Sequence, residues 1–242
     1  MKKDQLYSGN GTPQGEFRFD SKVAEVFPDM ILRSVPGYEI MLDMIGVITQ
    51  RFAVPGTNCY DLGCSLGAST LAMLKHLPGA GCRVFAIDNS PSMLEVAEKN
   101  FAAAGYEKGQ VDAICADAAQ TGIYNASIVI MNLTLQFIRP EIRETLLKNI
   151  FDGMVKGGVL VLSEKIVSQD NSANERLISL HHEFKRIREY SDLEISRKRD
   201  AIENYLLPES EETHVQRLQA AGFASIDRWF QCFNFVSLLA IK

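Results

Sequence analysis

Short apolar runs of strand length alternate with stretches of helical periodicity through most of this chain, and few folds accommodate that alternation. Residues 58–62 read as a strand, followed by a Gly-rich turn at 63–67 and a helix through about Leu77. A second strand at 83–87 ends at Asp88, and Ser90-Pro91 opens a helix with serine as N-cap and proline at the first helical position. Strands three and four are expected at 111–115 and 126–131, a helix at 140–151, and strand five at 159–163 after the turn Lys156-Gly157-Gly158. Strands alternating with helices call for a parallel sheet covered on both faces. A helix at 213–221, stopped by Gly222, precedes two last runs at 225–231 and 235–241, separated by a tight turn. The sheet therefore ends in an antiparallel hairpin, whereas a dinucleotide-binding sheet would add another parallel strand.

Two stretches lie outside this rhythm. Residues 23–52 show helical spacing broken at Val35-Pro36-Gly37, so two helices precede the sheet, behind a polar, Gly-rich segment at 1–20 that is loose or folded over something. Residues 172–207 are charged and helical in pattern, and read as an inserted lid within a single domain of 242 residues. The net charge, 25 basic minus 30 acidic residues or −5, argues against direct nucleic-acid binding, which needs Lys and Arg to neutralise phosphates. Cys59, Cys64, Cys82, Cys115 and Cys232 show no metal-ligand spacing, so neither zinc nor a disulfide framework is expected; buried free thiols in a reducing compartment are. The start has no apolar signal region and no run approaches transmembrane length, so a cytoplasmic protein without a membrane partner is expected.

The strongest local motif is Asp61-Leu62-Gly63-Cys64-Ser65-Leu66-Gly67, an acidic-x-Gly-x-x-x-Gly turn between strand and helix. Its glycines let backbone approach a ligand, and the helix N-terminus offers free N–H groups; alone it equally describes an ordinary tight turn. Asp88 closes the second strand, where a carboxylate bridges two ribose hydroxyls in open α/β sheets or simply caps a helix. Asp117 follows strand three, placed either to reach an adenine amino group or to sit in a solvated turn. Asn132 closes strand four at the ligand-bearing edge, and if buried must find a partner. Arg197-Lys198-Arg199 lies in the lid; Arg197 and Lys198 read as a solvated helix face, while the fork of Arg199 suits a carboxylate. His181 and His182 read as partly buried helix residues.

Together these residues resemble the carboxy-S-adenosylmethionine synthase family, through VAEVFPDMILRSVPGY, YDLGCSLGAST, AIDNSPSM, NLTLQF, GGVLVLSEK, HHEFK, LEIS, Lys198-Arg199, ETH and WFQCFNF, spread from about Phe19 to the C-terminus. GCSLGA followed by AIDNSP is far more specific than the bare glycine turn. The resemblance implies a Rossmann-like class I methyltransferase fold with a seven-stranded, mostly parallel sheet. It implies an unusual reaction, in which S-adenosylmethionine is an acceptor. Prephenate aromatises to phenylpyruvate, and the carbon dioxide it loses is captured by the sulfonium methyl carbon as an ylide. The product, carboxy-S-adenosylmethionine, serves modification of the tRNA wobble uridine. Carried over by position, the ligand contacts are Tyr38, Gly63, Cys64, Ser65, Asp88, Asn89, Asp117, Ala118, Asn132 and Arg199, with Arg199 as the catalytic residue and no metal. Members carry a larger aliphatic residue where this chain has Ala118, which puts in doubt only a contact made by that side chain. A homodimer is also implied.

Two other functions compete on the same residues. An ordinary small-molecule methyltransferase would need a base or metal near the sulfonium and no carboxylate-binding Arg199. A non-catalytic scaffold in tRNA modification would need a basic face, which the charge of −5 opposes. A nicotinamide dehydrogenase is least favoured, because Gly63–Gly67 lacks the GxGxxG spacing.

Overall fold

The computed structural model describes residues 2–8, 18–79, 81–202 and 205–242. Helices α1 (Ser21–Ser34) and α2 (Tyr38–Phe52) come first, and the carboxylate of Asp20 starts α1 by accepting from the amides of Lys22 and Val23. The sheet then builds through β1 (Asn58–Leu62), α3 (Ala68–His76), β2 (Arg83–Asp88), α4 (Pro91–Ala103), β3 (Val111–Cys115), β4 (Ala126–Asn132), α5 (Pro140–Gly153) and β5 (Met154–Lys165). Lid helices α6 (Asn171–Ile187) and α7 (Asp192–Ile202) follow, then α8 (Glu211–Ala221), β6 (Ser225–Cys232) and β7 (Phe235–Ile241).

The strands run in the order β3-β2-β1-β4-β5-β7-β6, the first five parallel and the last two antiparallel. Six successive residues of β4 are buried, because the strand is covered on both faces. On one face Leu146, Leu147 and Ile150 of α5 and Leu218 of α8 pack against Val129, Met131 and Leu160. On the other, Ile45 of α2, Met73 of α3 and Leu94 and Phe101 of α4 pack against Val84, Ile128 and Val161. The expected fold class is the observed one.

Three local expectations need correction. Strand five begins at Met154, not residue 159, because the Gly157-Gly158 pair is a bulge rather than a turn: the register slips between Ala126 and Ile128, and Gly157 donates to the Lys242 carbonyl at 2.9 Å. Cys115 is exposed, since β3 is an edge strand. Lys198 is not on a solvated face. Its ammonium is buried beneath residues 2–8, 2.9 Å from Ser34 Oγ and 3.5 Å from Asp4 Oδ2. Asp4, 1% exposed, also accepts from the Tyr190 hydroxyl at 2.5 Å, so this part of the N-terminal segment is folded over the lid. Residues 9–17, the rest of the Gly-rich stretch, lie outside the described residues.

Candidate active site

The five parallel strands end at one edge, and the strand order reverses between β1 and β4, the switch point where open α/β sheets bind ligands. The turn after β1 lies there. Gly63 has φ +81°, and a Cβ on it would come within 2.4 Å of Thr134 Oγ1, so only glycine fits. The amides of Gly63 and Cys64 both donate to the Ile87 carbonyl, which ties the turn to β2. Asp88 completes the tie, with Oδ2 accepting from the Ser65 amide at 2.8 Å and Oδ1 from the Ser90 amide at 2.9 Å. Burial raises its pKa, and these N–H donors oppose that rise. Asp61 serves the fold beneath: it is buried, accepts from Thr70 Oγ1 at 2.6 Å, and burial pushes its carboxyl up to about 7.

All ten residues singled out from the sequence line one cavity of about 1090 Å³. Asp117 caps a short 3-10 helix (Ala118–Gln120) by accepting from the Ala119 amide at 2.8 Å, and both Asp117 and Ala118 line the cavity. Asn132 donates to Ser69 Oγ at 3.1 Å, and its buried Oδ1 has no partner among the described residues. Burial, then Asp61, raises the Tyr38 hydroxyl, which stays neutral. Burial likewise pushes the Cys64 thiol well above its usual value, so Cys64 contributes shape and not a thiolate. Arg199 lines the cavity wall, yet its side chain is 62% exposed and its guanidinium faces Asp200 at 3.4 Å. Its guanidinium is therefore open to water in this structure.

The opposite half of the same cavity joins Arg199 to lysines that the motif reading left out of the site. Lys165 ends β5, Lys185 lies on α6, and Lys198 and Arg199 lie on α7. Burial lowers the Lys185 ammonium to about 7, aided by Lys198 and Lys165. Burial also lowers Lys165, and brings Lys198 to about 8 against the pull of Asp4. His181 hydrogen-bonds the Ser34 carbonyl through Nε2 at 2.8 Å, and burial depresses it to about 3, so it is a neutral structural histidine. The floor is held by Glu164, whose buried carboxylate accepts from the amides of Leu135 and Gln136; burial pushes it up to about 8. Lysines in HHEFK and SEK were visible as letters. A lysine in a charged helix or after a strand reads as solvated, and only the fold shows otherwise.

Comparison with known proteins places this geometry in two steps. A methyltransferase-domain family signature matches residues 60–158. Solved structures agree on the fold. A putative O-methyltransferase from Nostoc punctiforme superposes with a TM-score of 0.66 at 18% identity over 97% of this chain, which spans 63% of that one. Human N-acetylserotonin methyltransferase in complex with SAM superposes with a TM-score of 0.61 at 16% identity over 92% of this chain and 55% of its own. The fold is that of class I S-adenosylmethionine-dependent methyltransferases. The full-length relatives are narrower. Carboxy-S-adenosyl-L-methionine synthase of Vibrio campbellii is 51% identical over 239 residues, covering 99% of this chain and 97% of the relative. That of Vibrio cholerae (strain M66-2) is 50% identical over 240 residues, with the same coverage. The chain belongs to the carboxy-S-adenosyl-L-methionine synthase family.

Proposed function

We propose that this chain converts S-adenosylmethionine and prephenate to carboxy-S-adenosylmethionine and phenylpyruvate, supplying the carboxymethyl donor for tRNA wobble-uridine modification. One observation carries the reading: a single cavity joins a half lined by Asp88, Asp117 and Asn132 to a half lined by Lys165, Lys185 and Arg199. Its volume of about 1090 Å³ exceeds the roughly 300–1,000 Å³ typical for one small ligand. That is room for two.

The first half fits an adenosyl sulfonium. Asp88, fixed by two backbone amides, has lone pairs left for a ribose diol. Asp117 stands beyond it after β3 for the adenine amino group, and Asn89 and Ser65 line the same cavity. The unpartnered Oδ1 of Asn132 is an acceptor suited to an ammonium. The reaction balances without a metal. The ring C–CO2 bond of prephenate breaks, and its electron pair aromatises the ring and expels the 4-hydroxyl. That hydroxyl leaves with one methyl proton as water, and a new C–C bond joins the methyl carbon to the carbon dioxide. The protein's part is to position the two substrates and to limit water, since Tyr38 and Cys64 are held neutral beside the sulfonium.

The reading extends to a cytoplasmic homodimer that binds no nucleic acid itself. Its supports are the five free thiols, the charge of −5, and the exposed apolar stripe of Ile40, Met44 and Val47 on α2. No helix among the described residues is long and apolar enough to cross a membrane. The test is incubation of purified protein with both substrates, followed by mass analysis of the nucleotide. A product about 44 mass units heavier than S-adenosylmethionine is expected by stoichiometry. S-adenosylhomocysteine with a methylated acceptor would instead make this a small-molecule methyltransferase.

A further inference from the structure

Lys165 and Lys185 stand out by what they lack. Each is largely buried in the cavity wall, and neither ammonium has a hydrogen bond or a carboxylate partner among the described residues. The other buried basic groups nearby are matched: Lys198 by Asp4, Arg33 by Asp29, and Arg143 by Glu209. Only desolvation acts on Lys165, and on Lys185 every further influence is another cation. Ammonium groups kept from water and repelling one another are unfavourable in the free protein. They become favourable when an anion fills the space between them.

Resting on the proposed reaction, we infer that Lys165 and Lys185 bind the side-chain carboxylate of prephenate, the one that remains in phenylpyruvate, and not the ring carboxylate that departs. Placement supports this. Asn132 pairs with Ser163 across β4 and β5, and Lys165 lies two residues further along β5. Strand rise and spacing put its Cα roughly 8 Å from that of Asn132, on the side away from the glycine turn. Lys185 enters from α6, next to half-buried His182, with Lys165 facing both. Chemistry supports it independently. The ring carboxylate loses its charge as the C–C bond breaks, so a cation paired with it would stabilise the ground state more than the transition state. The side-chain carboxylate keeps its charge throughout, and a cation there holds the substrate without opposing the reaction. The lysines thus fix the side chain of prephenate, leaving the departing carboxylate on the same ring carbon to face the sulfonium methyl.

Lys185→Met and Lys165→Met are the variants, each removing an ammonium but keeping the apolar stem. Five quantities decide the matter: Tm, the Kd for S-adenosylmethionine, KM and kcat with prephenate, and the inhibition constant of phenylpyruvate, which carries only the retained carboxylate. Lys185→Met is expected to fold with unchanged or higher Tm, because it removes an unpaired buried charge. Its KM for prephenate should rise tenfold or more, with kcat and cofactor Kd within threefold, and phenylpyruvate inhibition should weaken by a similar factor. Lys185→Arg should recover part of the KM. An unchanged KM overturns the inference. So does a raised KM with phenylpyruvate inhibition intact, because the lysines would then hold the ring carboxylate. If the wild type makes no carboxylated nucleotide from prephenate, the reaction itself fails; if it does and these variants are silent, only the lysine assignment fails.

Discussion

Asp88 and Lys185 face the same cavity but are put there by different means. Asp88 is fixed within one βαβ unit, from Gly63 to Ser90, by two backbone amides, that of Ser90 two residues on and that of Ser65 in the turn after the neighbouring strand β1. Among the described residues, nothing that touches its ammonium fixes Lys185. Its helix is held by His181 on the Ser34 carbonyl, while Arg33 reaches from α1 to the Arg188 carbonyl just past the helix end at 2.6 Å. The adenosyl half is a turn, whose geometry follows from glycine and register. The cationic half is an assembly of distant segments, each contributing one side chain. The first should therefore survive damage to packing, and the second should not.

The sharpest way to break this contrast is Arg143. Its fully buried guanidinium donates to the carbonyls of Ile138 at 2.8 Å and Leu207 at 2.9 Å, and pairs with Glu209, which Arg217 also holds. It thereby joins α5 to residues 205–209, which wall the cationic half. Arg143→Ala should cost about 3–5 kcal/mol of unfolding free energy, since it leaves buried carbonyl acceptors unmatched and Glu209 with Arg217 as its one remaining cation among the described residues. Urea denaturation checks that figure. In protein that remains folded, affinity for S-adenosylmethionine should stay within threefold while KM for prephenate climbs tenfold or more. A parallel fall in cofactor affinity would show that the two halves are one mechanical unit.

A second experiment attacks the other half. Asp88→Ala removes a charged acceptor from the position proposed for the ribose and should weaken S-adenosylmethionine by about 1.5–3 kcal/mol, or ten- to a hundredfold. Titration calorimetry on the folded variant reads it. KM for prephenate at saturating cofactor should barely move. Unchanged cofactor affinity would leave Asp88 as the tie between turn and β2 and nothing more.

The same division governs what the sequence could disclose. β1, β3 and β7 begin and end where their apolar runs do, and Ser90 caps α4 by accepting from the Met93 amide, because those features are set by neighbours along the chain. The start of β5 was misread because Gly157-Gly158 is ambiguous locally. Only the partner strand decides for a bulge, where a Cβ on Gly158 would lie 2.9 Å from the Ala126 carbonyl. Asp88 and Gly63 were legible as site candidates, since a turn carries its own signature. Lys198 was misplaced because its burial depends on Asp4, nearly two hundred residues away, and no periodicity within α7 encodes that contact. Lys165 and Lys185 were hidden for the same reason.

Arg199 lies between these cases, and the smallest effect is expected there. The family resemblance marks it as the residue that reads the new carboxylate, but its side chain is 62% exposed and lies 3.4 Å from Asp200. An ion pair formed by so exposed a guanidinium is screened by water, and its worth is about 0.2–1 kcal/mol, up to roughly fivefold in affinity. Arg199→Ala should therefore weaken carboxy-S-adenosylmethionine by at most about fivefold and leave S-adenosylmethionine unchanged, since only the product has the second carboxylate. Arg199→Lys should keep the charge but lose the bidentate fork, and recover part of that small difference. Calorimetry with both nucleotides on all three proteins measures it. A loss of a hundredfold or more, confined to the carboxylated ligand, would mean that α7 closes over the product and excludes water when it binds. Arg199 would then belong with Lys165 and Lys185 among the residues whose role depends on how the lid packs. Equal losses for both nucleotides would make it a support of the lid that reads no carboxylate.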